Sequence, residues 1–156
     1  MDGNKPDKPG VLLPPPVLYG LCLVLGFLFK ALVNPPWIMV WRLWPVGSAF
    51  IVAGLTIALW AVLTFRSHGT AVDPTHPATA LVQSGPYRYT RNPIYSALST
   101  AVAGVALING NVWFVPLLIL VHIVLHYGVI RREEQYLERT FGDAYRDYRR
   151  RVHRWL

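Results

Sequence analysis

The chain has 156 residues, 53% of them hydrophobic and only 15% charged, with a formal net charge of +7. A soluble domain carries about 25% charged residues, so the deficit argues against a water-soluble fold and for lipid as the solvent. The length suits one domain. Its basic residues cluster at the borders of apolar runs, which favours anionic headgroups over nucleic acid as the partner.

Residues 1–16 are polar and Pro-rich, end in Pro14-Pro15-Pro16, and read as an extended, mobile tail. The first apolar run is Val17 to Val33, 17 residues and just enough to span, with Lys30 placed to snorkel. Lys5 and Lys8 are offset by Asp2 and Asp7, and Asn34-Pro35-Pro36-Trp37 is no small-residue cleavage signal, so the run reads as retained. Cys22, the single cysteine, reads as a small buried or lipid-facing apolar residue. Trp37, Trp41 and Trp44 around Arg42 suggest a headgroup-level stretch. Pro45 opens a second run, Val46 to Phe65, without a charge. Residues 17–65 are thus expected to form two transmembrane helices.

Residues 66–156 form the expected functional core. Pro, Gly, Thr and His enter over 66–92, with Arg66, Arg88 and Arg91, and a loop of this length is usually functional or disordered. Ile94 to Ile108, the turn signal Asn109-Gly110-Asn111, and Val112 to Ile130 read as a helical hairpin. Its first arm, about 22 Å long, is short for a full crossing. The last 26 residues hold eight of the fifteen basic residues. Leu137, Phe141, Tyr145, Tyr148 and Val152 make a helical apolar stripe there, open to interruption at Gly142, on a segment expected to lie on the membrane surface. Four runs place both termini and the 66–92 loop on one side, with eleven of fifteen basic residues, which predicts a cytoplasmic face. The expected fold is an all-α integral membrane bundle of about four transmembrane helices, with a helical hairpin and a cytoplasmic C-terminal amphipathic helix. A bundle this thin leaves room for a homo-oligomer.

Two segments carry chemistry. In the first, Leu81 to Tyr95, Asn92 is a favoured N-cap and Pro93 fits the first helical position. The hairpin helix should therefore begin there, with its free N–H groups and positive dipole end facing the loop. Arg88 and Arg91 add charge, and Tyr87 and Tyr95 offer flat faces and hydroxyls. In the second, Glu133 and Glu134 stand where the last apolar helix leaves the bilayer, followed by Phe141-Gly142, Tyr145 and Tyr148. A carboxylate there can bind an ammonium or favour a sulfonium. Read alone, these features are more plainly a capped helix start with lipid anchors and a solvated charged face. His122 and His126 are i, i+4 on the last apolar helix, a spacing that can ligate a metal or haem, but no third ligand is evident and a polar seam is the plainer reading. His68 and His76 lie in the loop, where solvated positions are the default.

Together and in this order, the two segments resemble the isoprenylcysteine carboxyl methyltransferase family and the related phospholipid methyltransferases. That family carries Leu-Val-x-x-Gly-x-Tyr leading to Arg-His-Pro-x-Tyr, then, after a hairpin, Glu-Glu-x-x-Leu-x-x-x-Phe-Gly-x-x-Tyr-x-x-Tyr. The matches are Leu81, Val82, Gly85, Tyr87, Arg91, Pro93 and Tyr95, then Glu133, Glu134, Leu137, Phe141, Gly142, Tyr145 and Tyr148. The resemblance implies a membrane-embedded methyltransferase using S-adenosyl-L-methionine, with a hydrophobic or amphipathic acceptor entering from the bilayer, in a bacterial inner or endoplasmic-reticulum-type membrane. It implies that Thr79, Ala80, Leu81, Val82, Tyr87, Asn92, Pro93, Ile94, Tyr95 and Glu133 surround the cofactor. Arg91 and Glu134 are the candidate catalytic residues, with Glu134, about 100° around the helix from Glu133, expected to pair with an arginine or orient the acceptor. The family's histidine before proline is Asn92 here, so no general base is assigned to that position. The basic residue that eukaryotic carboxyl methyltransferases place one turn before the first glutamate is Val129 here, so a prenylcysteine substrate is not carried over. A membrane reductase of the sterol-reductase kind, using NADPH, and a non-enzymatic haem-binding membrane protein are the competing classes.

Overall fold

The structure, a computed structural model, describes Gly10 and residues 13–33, 42–70 and 78–155. Pro15–Leu32 forms α1, Trp44–Ser67 α2, Pro93–Asn109 α3 and Phe114–Leu125 α4. A π-helical turn, His126–Ile130, carries α4 without a break into α5, Arg131–Phe141; α6 spans Asp143–Arg151. Among the described residues every regular element is helical, and the architecture is a membrane helical bundle. Three helices are long and apolar enough to cross a bilayer: α1, α2 and the continuous Phe114–Phe141. The fourth, α3, has 17 residues, about 26 Å at 1.5 Å per residue, against a hydrocarbon core of about 30 Å.

Several expected boundaries move. Pro15 and Pro16 belong to the first turn of α1, not to the tail, because proline's fixed φ and missing N–H suit the first helical positions; the remainder of the tail, apart from Gly10, Leu13 and Pro14, lies outside the described residues. So do Trp37, Trp41 and His76, whereas Trp44 opens α2. The hairpin turn is wider than Asn109-Gly110-Asn111, since Asn111 Oδ1 accepts the Trp113 N–H at 3.1 Å and delays α4 to Phe114. Gly110 takes the left-handed conformation that ends α3 (φ 56°). The C-terminal stripe is interrupted where its sequence allows, at Gly142, whose φ of 54° and ψ of −124° suit only glycine, and so is split between two helices.

Small residues set the tightest helix contact. Gly47 and Gly54 on α2 face Gly104, Ala101 and Ala97 on α3, the ends of each set seven positions apart, two turns. A Cβ on Gly104 would stand 2.6 Å from the Gly47 carbonyl oxygen, and one on Gly54 2.6 Å from that of Ala97. Such close backbone approach is how helices associate where lipid removes the hydrophobic drive. On the other flank α1 packs on α4: Gly26 accommodates the Phe114 ring, and its carbonyl accepts the Asn111 Nδ2–H at 2.9 Å. The main core joins Leu18, Tyr19 and Cys22 of α1 to Tyr95 and Val102 of α3 and to Phe114, Val121 and Leu125 of α4. Cys22 is buried in it, not lipid-facing. Outward, Val52, Leu55, Leu59 and Leu63 of α2 and Val115, Ile119 and Ile123 of α4 stay half or more exposed, an apolar surface suited to lipid. Lys30 reaches the Asn109 carbonyl at one end of the bundle; the residues with chemistry gather at the other.

Candidate functional site

At that end α3 begins and the Phe114–Phe141 helix runs on past the π turn. Tyr95, in the first turn of α3, donates its hydroxyl to Glu133 Oε1 at 2.7 Å. This bond joins the two motif segments across 38 residues of sequence. The Tyr95 carbonyl is held in turn by the Tyr19 hydroxyl at 2.8 Å and Ser99 Oγ at 2.9 Å. Tyr87 sits in a 3-10 turn, Gly85–Arg88, packed edge-on against Phe65 with ring centroids 4.9 Å apart. Gly85 opens that turn with φ 57°, and a Cβ there would meet Thr64 Oγ1 at 2.6 Å. Burial, the neighbouring Tyr148 and the Glu133 carboxylate push the Tyr87 phenol up, so it stays neutral. The Tyr148 phenol, also raised by burial, donates to the Tyr87 carbonyl at 2.7 Å and pins the turn to α6.

Glu134 faces a second set of partners. Arg91 Nη1 stands 2.6 Å from its Oε1, and Arg154 grips both oxygens, Nε at 3.0 Å and Nη2 at 2.5 Å. The Arg91 and Glu134 side chains are 11% and 12% exposed. Two guanidinium groups on one nearly buried carboxylate leave net positive charge there. Arg91 Nη1 also reaches the Tyr145 hydroxyl at 3.3 Å, while its Nε is buried without a hydrogen-bond partner among the described residues.

Residues 152–155 act as a strap. After α6 the chain turns extended at Val152 and crosses the start of α3. The His153 carbonyl accepts the Arg91 N–H at 2.9 Å, and the Arg154 carbonyl accepts Thr90 Oγ1–H at 2.9 Å and Asn92 Nδ2–H at 3.1 Å. Asn92 therefore departs from its expected role. It occupies the N-cap position, but its side-chain oxygen makes no cap bond; its Nδ2–H donates instead to the Arg154 carbonyl, which turns the amide toward the strap.

The other predicted positions divide. Tyr87, Tyr95 and Glu133 come together; Asn92 and Pro93 are buried just beneath, and half-buried Ile94 packs against the same core. Val82 is a core residue with Ala61 and Tyr87. Thr79 lies apart and exposed, its N–H held by Thr70 Oγ1 at 3.1 Å and its hydroxyl by the Gly69 carbonyl at 3.1 Å; half-buried Ala80 and Leu81 lead from it to Val82. Arg88 turns outward over Tyr89, so of the loop arginines Arg91 is the one bonded into the cluster. Val129 is buried in the π turn. His68 is exposed and bonds Thr64 and Ser84. His122 bonds the Leu118 carbonyl at 2.8 Å and Ser99 Oγ at 3.3 Å, and among the described residues no three His, Cys, Asp or Glu side chains converge as metal ligands would. Arg154, Tyr19 and Ser99 escaped the sequence reading. Arg154's partners lie 20 and more residues away, and the arginine-rich tail hides it.

A family model described as phospholipid methyltransferase matches residues 41–144, 104 of the 156. Among curated relatives, the nickel-cobalt-cadmium resistance protein NccN of Alcaligenes xylosoxydans xylosoxydans is 31% identical over 75 residues, 48% of this chain and 35% of that protein. An uncharacterized protein of Haemophilus influenzae is 53% identical over 34 residues, 22% of this chain and 54% of that protein. The chain thus spans about a third to a half of the length of these relatives.

Proposed function

Because the chain belongs to the phospholipid methyltransferase family, we propose that it uses S-adenosyl-L-methionine to methylate a lipidic or amphipathic acceptor drawn from the bilayer, at a cytoplasmic site. The family supplies the class, a membrane methyltransferase. The observation that carries the finer reading is the Tyr95–Glu133 bond, which brings a helix start and a carboxylate to one point at the membrane edge.

The donor set suits such a cofactor. Glu133 offers negative charge for an ammonium, the α3 start offers first-turn N–H groups at Ile94 and Tyr95 outside the helical ladder, and Arg91 offers positive charge for a carboxylate. Bound there, the cofactor supplies an electrophilic methyl on a sulfonium. The protein's work is then alignment and exclusion of water. Tyr95 fixes the Glu133 rotamer; Tyr19 and Ser99 fix Tyr95; Arg91 and Arg154 hold Glu134 so that it cannot compete as an acceptor. Asn92 cannot take up a proton near neutral pH, and an anionic acceptor needs no base, so such an acceptor fits this position without further groups.

Calorimetric titration in neutral-lipid nanodiscs tests the reading. S-adenosyl-L-methionine should bind and NADPH should not. Binding of NADPH alone would replace this proposal with the reductase class.

A further inference from the structure

The strap is held at its outer end by two histidines at the end of the last span. Arg154 Nη1 stands 3.3 Å from His126 Nδ1, and the Trp155 ring lies against that of His122, centroids 5.3 Å apart. Histidine is the side chain that ordinarily changes charge between about pH 5 and 8, and the partners decide what that change does at each position. The Leu118 carbonyl can only accept, so His122 Nδ1, 2.8 Å away, carries hydrogen and Nε2 receives Ser99 Oγ–H. A proton added to Nε2 meets a hydroxyl, which turns and accepts it, and a charged ring still stacks on Trp155. His122 therefore supports the strap in either state. His126 differs, because a guanidinium has no acceptor. Its contact with Arg154 needs a bare Nδ1, and a proton there sets donor against donor and cation against cation.

The surroundings give that charge no relief. Arg154 already donates Nε and Nη2 to Glu134, and the same carboxylate, its side chain 12% exposed, also serves Arg91. A charged His126 makes three cations around one anion. On its own helix His126 faces Tyr127, edge-on with centroids 4.7 Å apart, and His122 one turn back. From α5, Arg131 lies over the Tyr127 ring, 5.6 Å from its centre, so it adds positive charge. Turned the other way, the His126 ring meets a groove lined by Leu118, Ile119 and Ile123, hydrocarbon that disfavours a charge. What can yield is the strap, four residues lying outside the helices and held by the contacts already described. We propose that residues 152–155 are a latch, which neutral His126 closes and protonated His126 releases, uncovering Thr90, Arg91 and Asn92 at the start of α3. The Arg154 contact exists only with the neutral ring, so closure is complete above the histidine's titration and is lost as pH falls through it. That the uncovered start admits the cofactor rests on the function proposed above.

The probe is a nitroxide on a cysteine placed by His153→Cys. That position is exposed, the change keeps the strap's backbone bonds and removes its other histidine, and the buried Cys22 stays unlabelled. Electron paramagnetic resonance in neutral-lipid nanodiscs reads strap mobility from about pH 8 to about pH 5.5. The ratio of mobile to immobile label should rise about fivefold or more, since each unit by which closure opposes protonation is a factor of ten. His126→Gln supplies an acceptor that does not titrate and should keep the strap immobile throughout, whereas His122→Gln should keep the transition. A strap equally immobile at both ends of the range overturns the latch. A transition that survives in His126→Gln belongs to another group and overturns it too, as does loss of helix by circular dichroism in step with the label's release. Cofactor kinetics separate the two layers. S-adenosyl-L-methionine should dissociate faster at the acid end with His126 present and not in His126→Gln. Rates that ignore a moving strap overturn the reading of it as the cofactor's door, and absent cofactor binding at every pH overturns the function beneath it while the mobility result stands.

Discussion

Removing the Tyr95 hydroxyl isolates the contact on which the site depends. The bond to Glu133 Oε1 is 2.7 Å long and made to a carboxylate. Hydrogen bonds to charged groups contribute about 1.5–3 kcal/mol net, and Tyr95→Phe leaves the ring, and so its packing beside Tyr19 and Val102, in place. If Glu133 is held in position for the cofactor's ammonium, losing the lower bound of that range weakens binding about tenfold, since 1.4 kcal/mol is a factor of ten. Glu133→Gln keeps an acceptor for Tyr95 but removes the charge, and it too should raise the dissociation constant about tenfold or more. In the double variant the penalties should not add, because both act through one contact, and a coupling of about 1 kcal/mol is expected. Calorimetry in nanodiscs on all four proteins, with folding checked by thermal unfolding, gives the cycle. Unchanged affinity in folded Glu133→Gln removes the residue from the site; additive penalties would mean that Tyr95 acts elsewhere.

Three further outcomes follow from other contacts. Asn92→Ala should lower stability by about 0.5–1.5 kcal/mol through loss of the bond to the Arg154 carbonyl, whereas Asn92→His keeps a donor and should retain most of it; thermal unfolding in detergent compares them, and equal losses would show that the amide is idle. Gly104→Leu should cost about 1–3 kcal/mol or prevent folding, as overpacking does, because the Gly47 backbone stands in the way, while Gly20→Leu, with nothing within 4 Å of its Cβ position, should be neutral by the same assay. Cysteines introduced at Gly69 and Gly110, which lie past opposite ends of helices, should label from opposite sides of the membrane with an impermeant reagent, the buried Cys22 staying silent; labelling from one side would refute the topology.

Hydropathy alone located the four apolar helices to within a few residues, because lipid demands long uninterrupted runs and this chain has Pro15, Pro45 and Pro93 at their starts and Gly110 at a turn. Other features follow from long-range partners that no local pattern reveals. The helix through Leu137 and Phe141 is legible in its stripe, but the π turn at 126–130 has no composition signature, so nothing local shows that this helix continues the last span without a break. Asparagine before proline reads as a cap for α3; here its Nδ2–H donates to a carbonyl 62 residues away, a partner no local pattern reveals, and the side chain faces the strap. The α2–α3 contact was readable and overlooked: Gly47 and Gly54, like Ala97 and Gly104, recur at an interval of seven, which marks one helix face. The motif glutamates were separable in advance by their angle on the helix, but which arginines would hold Glu134 depended on the strap.

That strap also fixes when the site can exist during synthesis. Residues 152–155 leave the ribosome only after every spanning helix has been made, and they complete the Glu134 cluster and close over the start of α3. Until then Glu134 lacks its two-pronged guanidinium partner and the loop at 90–92 lacks its cover. A nascent chain in the insertion machinery, surrounded by lipid, therefore carries an unfinished site.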